Sequence, residues 1–276
     1  MPGIFRLSVD LLAQEANRCA SLGLPGLLLF PAIPKSMKDP LGSEALNPLG
    51  LIPRAIGAIK ESGSPLLVIA DIALDPYTDH GHDGLLGPKG EVLNDETVAT
   101  LTKASLVAAA AGADLVAPSD MMDGRVGAIR RALDDAGRID VGILAYSAKY
   151  ASSFYGPFRE ALGSAPKSGD KKSYQMDPAN RREALLEALL DKDEGADILM
   201  VKPALPYLDV IAALRAATHL PIAAYQVSGE YSVIMAAHQN GWLDATATLL
   251  ESLTSIKRAG ADMIISYAAS QIAPLL

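Results

Sequence analysis

The sequence predicts an α/β fold: a (β/α)8 barrel of the TIM type that occupies residues 1–276 as one domain and is incomplete at its first strand. Short apolar runs alternate with amphipathic helical patterns along the whole chain, as in a parallel sheet buried on both faces. Polar residues follow many different runs, as at the C-terminal rim of a barrel, and 276 residues is an ordinary barrel length. Only seven strands can be counted, so an open, doubly wound sheet is the structural alternative.

The predicted elements follow one another as helix–strand units. Each strand is a short run of aliphatic residues, and each helix shows apolar residues every three or four positions. The strands are expected at 26–30, 65–71, 114–117, 141–147, 197–202, 221–227 and 262–267. The helices that precede them are expected at 11–22, 52–61, 95–111, 127–136, 178–193, 207–218 and 243–258.

A tripeptide repeat marks three of the helix-to-strand joints. Gly-Ala-Asp occurs at 112–114, 195–197 and 260–262, in each case between a helix and an apolar run. Glycine readily adopts the left-handed conformation that ends many helices. Three copies of one joint indicate a repeated structural unit, and no linker or change in composition divides the chain.

Composition and charge exclude several classes of protein. The net charge of −8 argues against nucleic acid as a main partner, because phosphate binding requires clustered lysine and arginine. Cys19 is the only cysteine, which excludes an internal disulfide and a zinc site built from several thiolates. No signal-peptide pattern follows Met1, and no apolar run is long enough to span a bilayer. We therefore expect a cytoplasmic protein without a membrane partner.

Two lysines stand at the ends of apolar strands. Lys202 ends the run that begins at Ile198, and Lys149 ends the run that begins at Ile143. Each alone is more simply explained as a lysine that leaves the core for solvent. Both strands point at one barrel rim, however, and two adjacent ammonium groups in an apolar pocket would depress each other's pKa. A neutral amine can then attack a carbonyl carbon and form a Schiff base.

The segment from 71 to 84, which we call the acidic loop, concentrates carboxylates and imidazoles. Its ionisable side chains are Asp71, Asp75, Asp79, His80, His82 and Asp83. Proline and glycine residues make it a loop, so the four-residue spacing of the aspartates does not define a helix face. Oxygen and imidazole ligands could hold a divalent ion there. A polar loop with helix caps explains the spacing equally well.

Other polar residues also follow predicted strands. Ser119 and Asp120 come directly after the third strand, and Asp123 is expected to cap the next helix. Residues 163–172, which we call the lid segment, are polar and carry glycine, proline and serine, as in a mobile lid or an ordinary surface loop. Hydroxyl groups end the last two strands, at Ser228 and Tyr267, where they could bind a carboxylate or satisfy backbone groups.

Seven segments, in this order along the chain, resemble the porphobilinogen synthase family, also called δ-aminolevulinic acid dehydratase. They are 73–78 (ALDPYT), 117–124 (APSDMMDG), 146–150 (YSAKY), 154–159 (FYGPFR), 174–177 (YQMD), 200–203 (MVKP) and 226–231 (QVSGEY). The resemblance runs nearly end to end. It implies a lyase with a (β/α)8 barrel that condenses two 5-aminolevulinate molecules into porphobilinogen for heme and porphyrin biosynthesis.

The resemblance also implies a role for each site residue. Lys202 matches the Schiff-base lysine for the substrate that supplies the propionate side, and Lys149 matches the lysine for the acetate side. Asp120 matches an active-site acid and Ser119 a substrate-binding residue beside it. The residues matched to one substrate carboxylate are Arg159, Lys171 and Gln175, and those matched to the other are Ser228 and Tyr267.

The acidic loop determines the subtype that the resemblance implies. Zinc-dependent members carry three cysteines where this chain has Ala73, Asp75 and Asp83, so catalytic zinc is not expected. The resemblance implies that magnesium, sometimes potassium, takes the place of zinc, with Asp75 and Asp83 as its ligands in the loop, or that no catalytic metal is needed. Glu187 matches the residue associated with an allosteric magnesium at a subunit interface.

The beginning of the chain is the main departure from the family. Met1 to Arg6 match a segment that follows the first barrel strand, so the arm that wraps a neighbouring subunit and the first strand have no counterpart. We therefore expect a homo-oligomer but not the family's octamer. A catalytically impaired relative that binds or regulates is the alternative function, and an aldolase-type barrel with one Schiff-base lysine is a third hypothesis.

Overall fold

The computed structural model describes residues 1–276 as seven parallel strands and ten α-helices. The strands are β1 (Gly26–Leu29), β2 (Leu67–Ile72), β3 (Leu115–Pro118), β4 (Gly142–Lys149), β5 (Ile198–Lys202), β6 (Ile222–Gln226) and β7 (Met263–Ser266). Each strand pairs with the next one along the chain, and β1 and β7 are the edge strands. This singly wound order confirms the predicted α/β barrel, because a doubly wound sheet reverses its strand order at a switch point.

Helices connect successive strands, with one helix before the first strand and one after the last, and three of the ten helices were not predicted. The helices are α1 (Val9–Ser21), α2 (Leu51–Glu61), α3 (Asn94–Ala110), α4 (Arg125–Asp135), α5 (Gly156–Leu162), α6 (Arg181–Asp193), α7 (Leu208–Ala217), α8 (Ser228–Gln239), α9 (Ala245–Ala259) and α10 (Ala269–Ile272). The unpredicted ones are α5, α8 and α10. None of the helices combines the length and the apolar character needed to span a bilayer.

The Gly-Ala-Asp repeat forms the joint that its sequence predicts. All three glycines have positive φ, with values of 102° at Gly112, 105° at Gly195 and 120° at Gly260. The aspartate that follows each of them accepts a hydrogen bond from a backbone N–H at the start of the neighbouring strand. The bonds are Val68 N to Asp114 (2.6 Å), Ile143 N to Asp197 (2.7 Å) and Ile222 N to Asp262 (2.8 Å). The repeat therefore both ends a helix and ties two strands together.

Strand residues alternate between two apolar layers. The barrel interior contains Ala117, Leu144, Tyr146, Met200, Ala223 and Tyr225. The layer between the sheet and the helices contains Ile143, Ala145, Leu199, Val201, Ile222 and Ala224, packed against helix residues such as Ile56, Ile129 and Leu214. Burying one such aliphatic side chain contributes about 1.5–3 kcal/mol, which fixes the facing of each strand.

Candidate active site

The alternation of β5 directs Lys202 into the barrel. Leu199 and Val201 belong to the outer layer, whereas Met200 belongs to the interior. Successive side chains of a strand point to opposite faces, so the next inward position is Lys202. It is also the last residue of the strand, which places its amine at the C-terminal rim.

A β-bulge directs Lys149 to the same place. Leu144 and Tyr146 face the interior, and unbroken alternation would turn Ala148 inward and Lys149 outward. The register between β4 and β5 shifts by one residue before Ala148, which consequently packs in the outer layer. Lys149 then faces the interior directly beside Lys202, its register partner.

Lys202 lies in a cage of aromatic rings. It is 6% exposed, and its amine makes no hydrogen bond or ion pair with another residue. The ring centroids closest to its Nζ belong to Tyr225 (4.7 Å), Tyr146 (4.9 Å), Tyr155 (5.3 Å) and Phe158 (5.4 Å), which we call the aromatic cage. Burial, and secondly the charge of Lys149, lower the pKa of Lys202 to about 7. A substantial fraction of this amine is therefore unprotonated at neutral pH.

Lys149 lies in an ionic network. Its Nζ donates to Asp83 Oδ2 at 3.2 Å and to the backbone carbonyl of Ser119. Asp83 is only 1% exposed, and its other oxygen accepts from Lys171 Nζ at 2.7 Å. Burial alone would raise the pKa of Asp83, but the ammonium groups of Lys149 and Lys171 outweigh burial and hold this pKa below its usual value.

Lys171 also contacts a second carboxylate of the acidic loop, that of Asp75. Lys171 Nζ lies 3.1 Å from Asp75 Oδ2 and is 5% exposed. Burial raises the pKa of Asp75, and the Lys171 ammonium opposes that rise. No three histidine, cysteine, aspartate or glutamate side chains are arranged so that they could hold a metal ion. Asp75 and Asp83 therefore do not form a free ligand set for magnesium, because lysine ammonium groups already pair with their oxygens.

Asp71, rather than Asp120, is the acid that borders both lysines. Asp71 is the penultimate residue of β2, lines the cavity and has one oxygen, Oδ1, without a hydrogen-bond partner. Burial raises the pKa of Asp71 to about 7, although the charge of Lys202 opposes that rise. Asp120 does not line the cavity: its Oδ1 accepts from Met122 N at 2.7 Å, and its Oδ2 lies 3.7 Å from the guanidinium of Arg125.

The cavity between these groups brings together most of the predicted site residues. It lies at the C-terminal ends of the strands and, together with the solvent at its mouth, comprises about 410 Å³ of empty space. Its predicted members are Asp75, Asp83, Ser119, Lys149, Arg159, Lys171, Gln175 and Lys202. Arg159 has no carboxylate partner and lies 5.5 Å from the Tyr155 ring, and Gln175 Oε1 is buried without a hydrogen-bond partner. Buried polar atoms are almost always paired, so Gln175 Oε1 is a candidate contact for a polar ligand, and the Arg159 guanidinium is a candidate contact for a carboxylate.

The two predicted hydroxyl groups lie beside the aromatic cage. Tyr267 accepts a hydrogen bond from the Tyr225 hydroxyl at 3.1 Å, which leaves its own proton available for donation. Ser228 is the first residue of α8; its hydroxyl donates to the Phe154 carbonyl and accepts from Phe158 N. Ser228 therefore holds the 154–158 segment, part of which forms the cage.

Glu230, which was not predicted as a site residue, fixes two of these elements. Its buried carboxylate accepts from Val227 N at 2.6 Å and from Leu205 N at 2.7 Å. It thereby joins the chain that follows Lys202 to the first turn of α8, which carries Ser228. The signal in the sequence is a glutamate at the third position of a helix, which commonly closes a helix N-terminus, but the helix itself was not predicted.

Two predicted residues lie away from the cavity. Glu187 is a partly exposed residue of α6, on the outside of the barrel, and burial and then the nearby Asp191 raise the pKa of Glu187. The prediction that Asp123 caps the next helix was wrong. The N-cap of α4 is Gly124, in a left-handed conformation and without a side-chain cap, while Asp123 N donates to the Asn94 side chain.

The whole chain matches a known family. A family model described as delta-aminolevulinic acid dehydratase matches residues 1–275. The chain is 57% identical to the chloroplastic delta-aminolevulinic acid dehydratase of Physcomitrium patens over 277 residues, which cover 100% of this chain and 64% of that protein. It is 56% identical to the delta-aminolevulinic acid dehydratase of Chlamydia pneumoniae, and the match covers 100% of this chain and 83% of that protein. The chain thus spans just under two thirds of the moss relative and more of the bacterial one.

A solved structure shares the fold in detail. The delta-aminolevulinic acid dehydratase (porphobilinogen synthase) of Toxoplasma gondii ME49, in complex with its reaction product porphobilinogen, superposes with a TM-score of 0.98. It is 52% identical, and the match covers 100% of this chain and 79% of that chain. The carboxyl transferase domain of Rhizobium etli pyruvate carboxylase shares only the fold, at 17% identity and a TM-score of 0.56.

Proposed function

The chain belongs to the delta-aminolevulinic acid dehydratase family, and from this premise we propose that it condenses two molecules of 5-aminolevulinate into porphobilinogen. The observation that carries the proposal is the pairing of two inward lysines, Lys149 and Lys202, at one register position. An amine on each of two neighbouring strands can bind two copies of one keto acid at once. A catalytically impaired relative is not favoured, because both amines and the cationic Arg159 are present in the cavity.

The reaction begins at Lys202. Its unprotonated amine attacks the ketone carbon of the first substrate, and loss of one water leaves a protonated imine. The aromatic cage suits both steps. It excludes water from the amine, and the ring faces of Tyr146 and Tyr225 attract the cationic imine that replaces it.

Lys149 binds the second substrate in the same way, with loss of a second water. Its Nζ donates to Asp83 and to the Ser119 carbonyl, which hold the amine at the cavity. The substrate carbon next to the Lys149 imine then loses a proton and attacks the imine carbon of the substrate on Lys202, which leaves Lys202 bonded to that carbon as an amine. The amino group of the substrate on Lys202 displaces the Lys149 nitrogen and closes the ring. Lys202 leaves by elimination with a proton from an adjacent carbon, so that both enzyme amines are freed and the ring becomes a pyrrole.

Asp71 is the group best placed to move protons during these steps. It lies at the end of β2 in the cavity, near Lys202, and its pKa near 7 lets it accept and return a proton at neutral pH. Sequence reasoning assigned this role to Asp120, whose carboxylate faces Arg125 instead. We therefore transfer the acid–base role to Asp71.

Substrate carboxylates are held at the two ends of the cavity. Arg159, which has no carboxylate partner in the structure, and Gln175 are proposed for the substrate on Lys149. The resemblance assigns Lys171 to the same substrate carboxylate, but its ammonium group instead pairs with Asp75 and Asp83. The free hydroxyl proton of Tyr267 is proposed for the substrate on Lys202, together with Ser228 if its hydroxyl turns away from the Phe154 carbonyl.

Turnover and trapping test the proposal together. Purified protein is incubated with 5-aminolevulinate, and the pyrrole product is detected by its colour with an acidic aldehyde reagent. Borohydride added during turnover should leave substrate adducts on Lys149 and Lys202, and mass spectrometry should find none on Lys172, an exposed lysine outside the cavity. Folded protein that forms no pyrrole at any pH or with any metal would contradict the proposal.

Three further properties are proposed on the resemblance alone. The first is a homo-oligomer, which light scattering would measure. The second is an allosteric magnesium at Glu187, which alone offers too few ligands and would need more from a neighbouring subunit. The third is a cytoplasmic location, which cell fractionation would test.

A further inference from the structure

We propose that the ammonium group of Lys171 is the permanent cation of Asp75 and Asp83, and that this contact clasps the lid segment over the cavity. The two carboxylates would accordingly serve as the docking site of a lysine and not as magnesium ligands. The clasp concerns the same cavity as the proposed function, but it does not depend on turnover.

The geometry of the clasp is that of a bridging cation. Lys171 Nζ lies 2.7 Å from Asp83 Oδ1 and 3.1 Å from Asp75 Oδ2, so one ammonium group joins two carboxylates. The remaining oxygen of Asp83 is taken by Lys149. All four side chains are buried, and Lys171 itself is 5% exposed. A divalent ion would have to displace the Lys171 ammonium before it could bind the same oxygens.

Charge also favours a lysine over a metal at this position. The cavity contains three carboxyl groups, Asp71, Asp75 and Asp83, and three lysines, Lys149, Lys171 and Lys202. Arg159 adds one further positive charge. A divalent ion that displaced the Lys171 ammonium would put two positive charges in place of one and leave a buried ammonium without a partner, which is costly at low dielectric.

The position of Lys171 in the chain turns the ion pair into a lid clasp. It stands near the C-terminal end of the lid segment, in which most residues are exposed. Two weaker contacts hold the middle of the lid segment on the acidic loop: Lys167 N donates to His80 O at 3.0 Å, and the His82 ring lies 3.0 Å from Ser168 O. Lys171 is the charged anchor among these contacts.

Lys171→Met tests both parts of the proposal, and Lys172→Met is the matched control. Lys172 is the next residue, is exposed, and pairs only with Asp170 at 3.9 Å. Binding of Mn²⁺ is measured from the electron paramagnetic resonance signal of the free ion. Opening of the lid segment is measured by hydrogen exchange over residues 163–170.

We expect wild type and Asp75→Asn to bind equal numbers of Mn²⁺ ions. Lys171→Met should bind one more per chain, and Asp75→Asn should remove that gain when it is added to Lys171→Met. Lys171→Met should also exchange about tenfold faster across the lid segment, because the loss of an anchor raises the population of locally open states. Lys171→Arg should restore slow exchange, and Lys172→Met should match wild type in both measurements.

Two results would overturn the proposal. One is a loss of one bound Mn²⁺ ion when Asp75→Asn is made in the wild type, which would identify Asp75 as a metal ligand. The other is Lys171→Met that is folded by circular dichroism yet matches Lys172→Met in both Mn²⁺ binding and exchange. Neither measurement requires product formation, so an inactive protein would contradict the proposed function and leave the clasp intact.

Discussion

Lys149 and Lys202 are the same kind of residue at neighbouring positions of one sheet, yet their surroundings are opposite. Lys202 lies among four aromatic rings and has no polar partner. Lys149 donates to a buried carboxylate and to a backbone carbonyl. Aromatic rings exclude the water that would solvate an ammonium group. Carboxylate and carbonyl oxygens replace that water with hydrogen bonds.

The difference indicates an order of events. The aromatic cage prepares Lys202 to react as a neutral amine, so the first substrate is expected there. The ionic network holds Lys149 in place beside Asp83 and the Ser119 carbonyl, so on the proposed function the second substrate is expected there.

Replacing either Lys149 or Lys202 should have the largest effect on activity. Lys149→Met and Lys202→Met should each lower porphobilinogen formation by about 10⁴-fold or more, because each deletes a covalent nucleophile. Borohydride trapping should separate them: Lys149→Met still forms an adduct on Lys202, whereas Lys202→Met forms far less adduct on Lys149. Equal trapping in the two variants would remove the proposed order.

Asp83→Asn should disrupt the ionic network around Lys149 and Lys171 and leave the aromatic cage unchanged. It leaves the ammonium groups of Lys149 and Lys171 short of a partner, and breaking a buried pair costs about 3 kcal/mol of unfolding free energy. Urea unfolding measures this loss. Asp170→Asn, which removes an exposed ion pair of 3.9 Å with Lys172, should change stability by less than about 0.5 kcal/mol.

The pH dependence of kcat/KM should report on Lys202 and its aromatic cage. With the pKa of Lys202 lowered to about 7, the unprotonated amine accumulates as pH rises through 7, so kcat/KM should climb there and then level off. The pKa of Asp71 is also about 7, so this rise of kcat/KM with pH, which we call the pH limb, reflects Asp71 and Lys202 together.

Removing one ring of the aromatic cage should shift the pH limb of kcat/KM. Phe158→Ala admits water to Lys202, raises its pKa toward the ordinary lysine value and shifts the limb to higher pH by about one unit. Phe154→Ala is the control, because Phe154 lies in the same segment but is not one of the four rings around Lys202. An unmoved limb in folded Phe158→Ala would mean that the cage does not set this pKa.

Tyr267→Phe should give the smallest effect. It removes the hydroxyl proton that we assign to the carboxylate of the substrate on Lys202, and one such hydrogen bond contributes about 1 kcal/mol, or roughly a fivefold change in KM. The position of the pH limb should stay unchanged. A shift of the limb without a change in KM would place Tyr267 in the aromatic cage and not in substrate binding.

The order of elements was predictable because strands buried on both faces leave continuous apolar runs. All seven strands and the Gly-Ala-Asp joints lie where the sequence places them, within a few residues. Helix α8 was missed because it begins at Ser228, two residues after the last residue of β6, and the polar residues there were interpreted as the end of a strand at the barrel rim.

The directions of side chains were harder to predict than the elements. Lys149 faces the cavity only because a bulge shifts β4 by one residue, and no feature of the run from Ile143 to Ala148 marks that shift. Asp71 could have been found by the rule that selected the lysines, since it also ends an apolar strand at the rim. Asp120 was preferred because it follows a strand, but its carboxylate turns toward Arg125, a long-range contact that sequence alone does not reveal.

The Gly-Ala-Asp joints have a consequence for how such a barrel can change over time. Asp114, Asp197 and Asp262 anchor strands at the end opposite the lysines, so cohesion and reactivity are encoded on separate ends of the same strands. Loops on the reactive end can diverge, lengthen or acquire new specificities without loosening the scaffold. Substitutions meant to raise stability should therefore be made at the joints, and those meant to change the catalysed reaction should leave the joints unchanged.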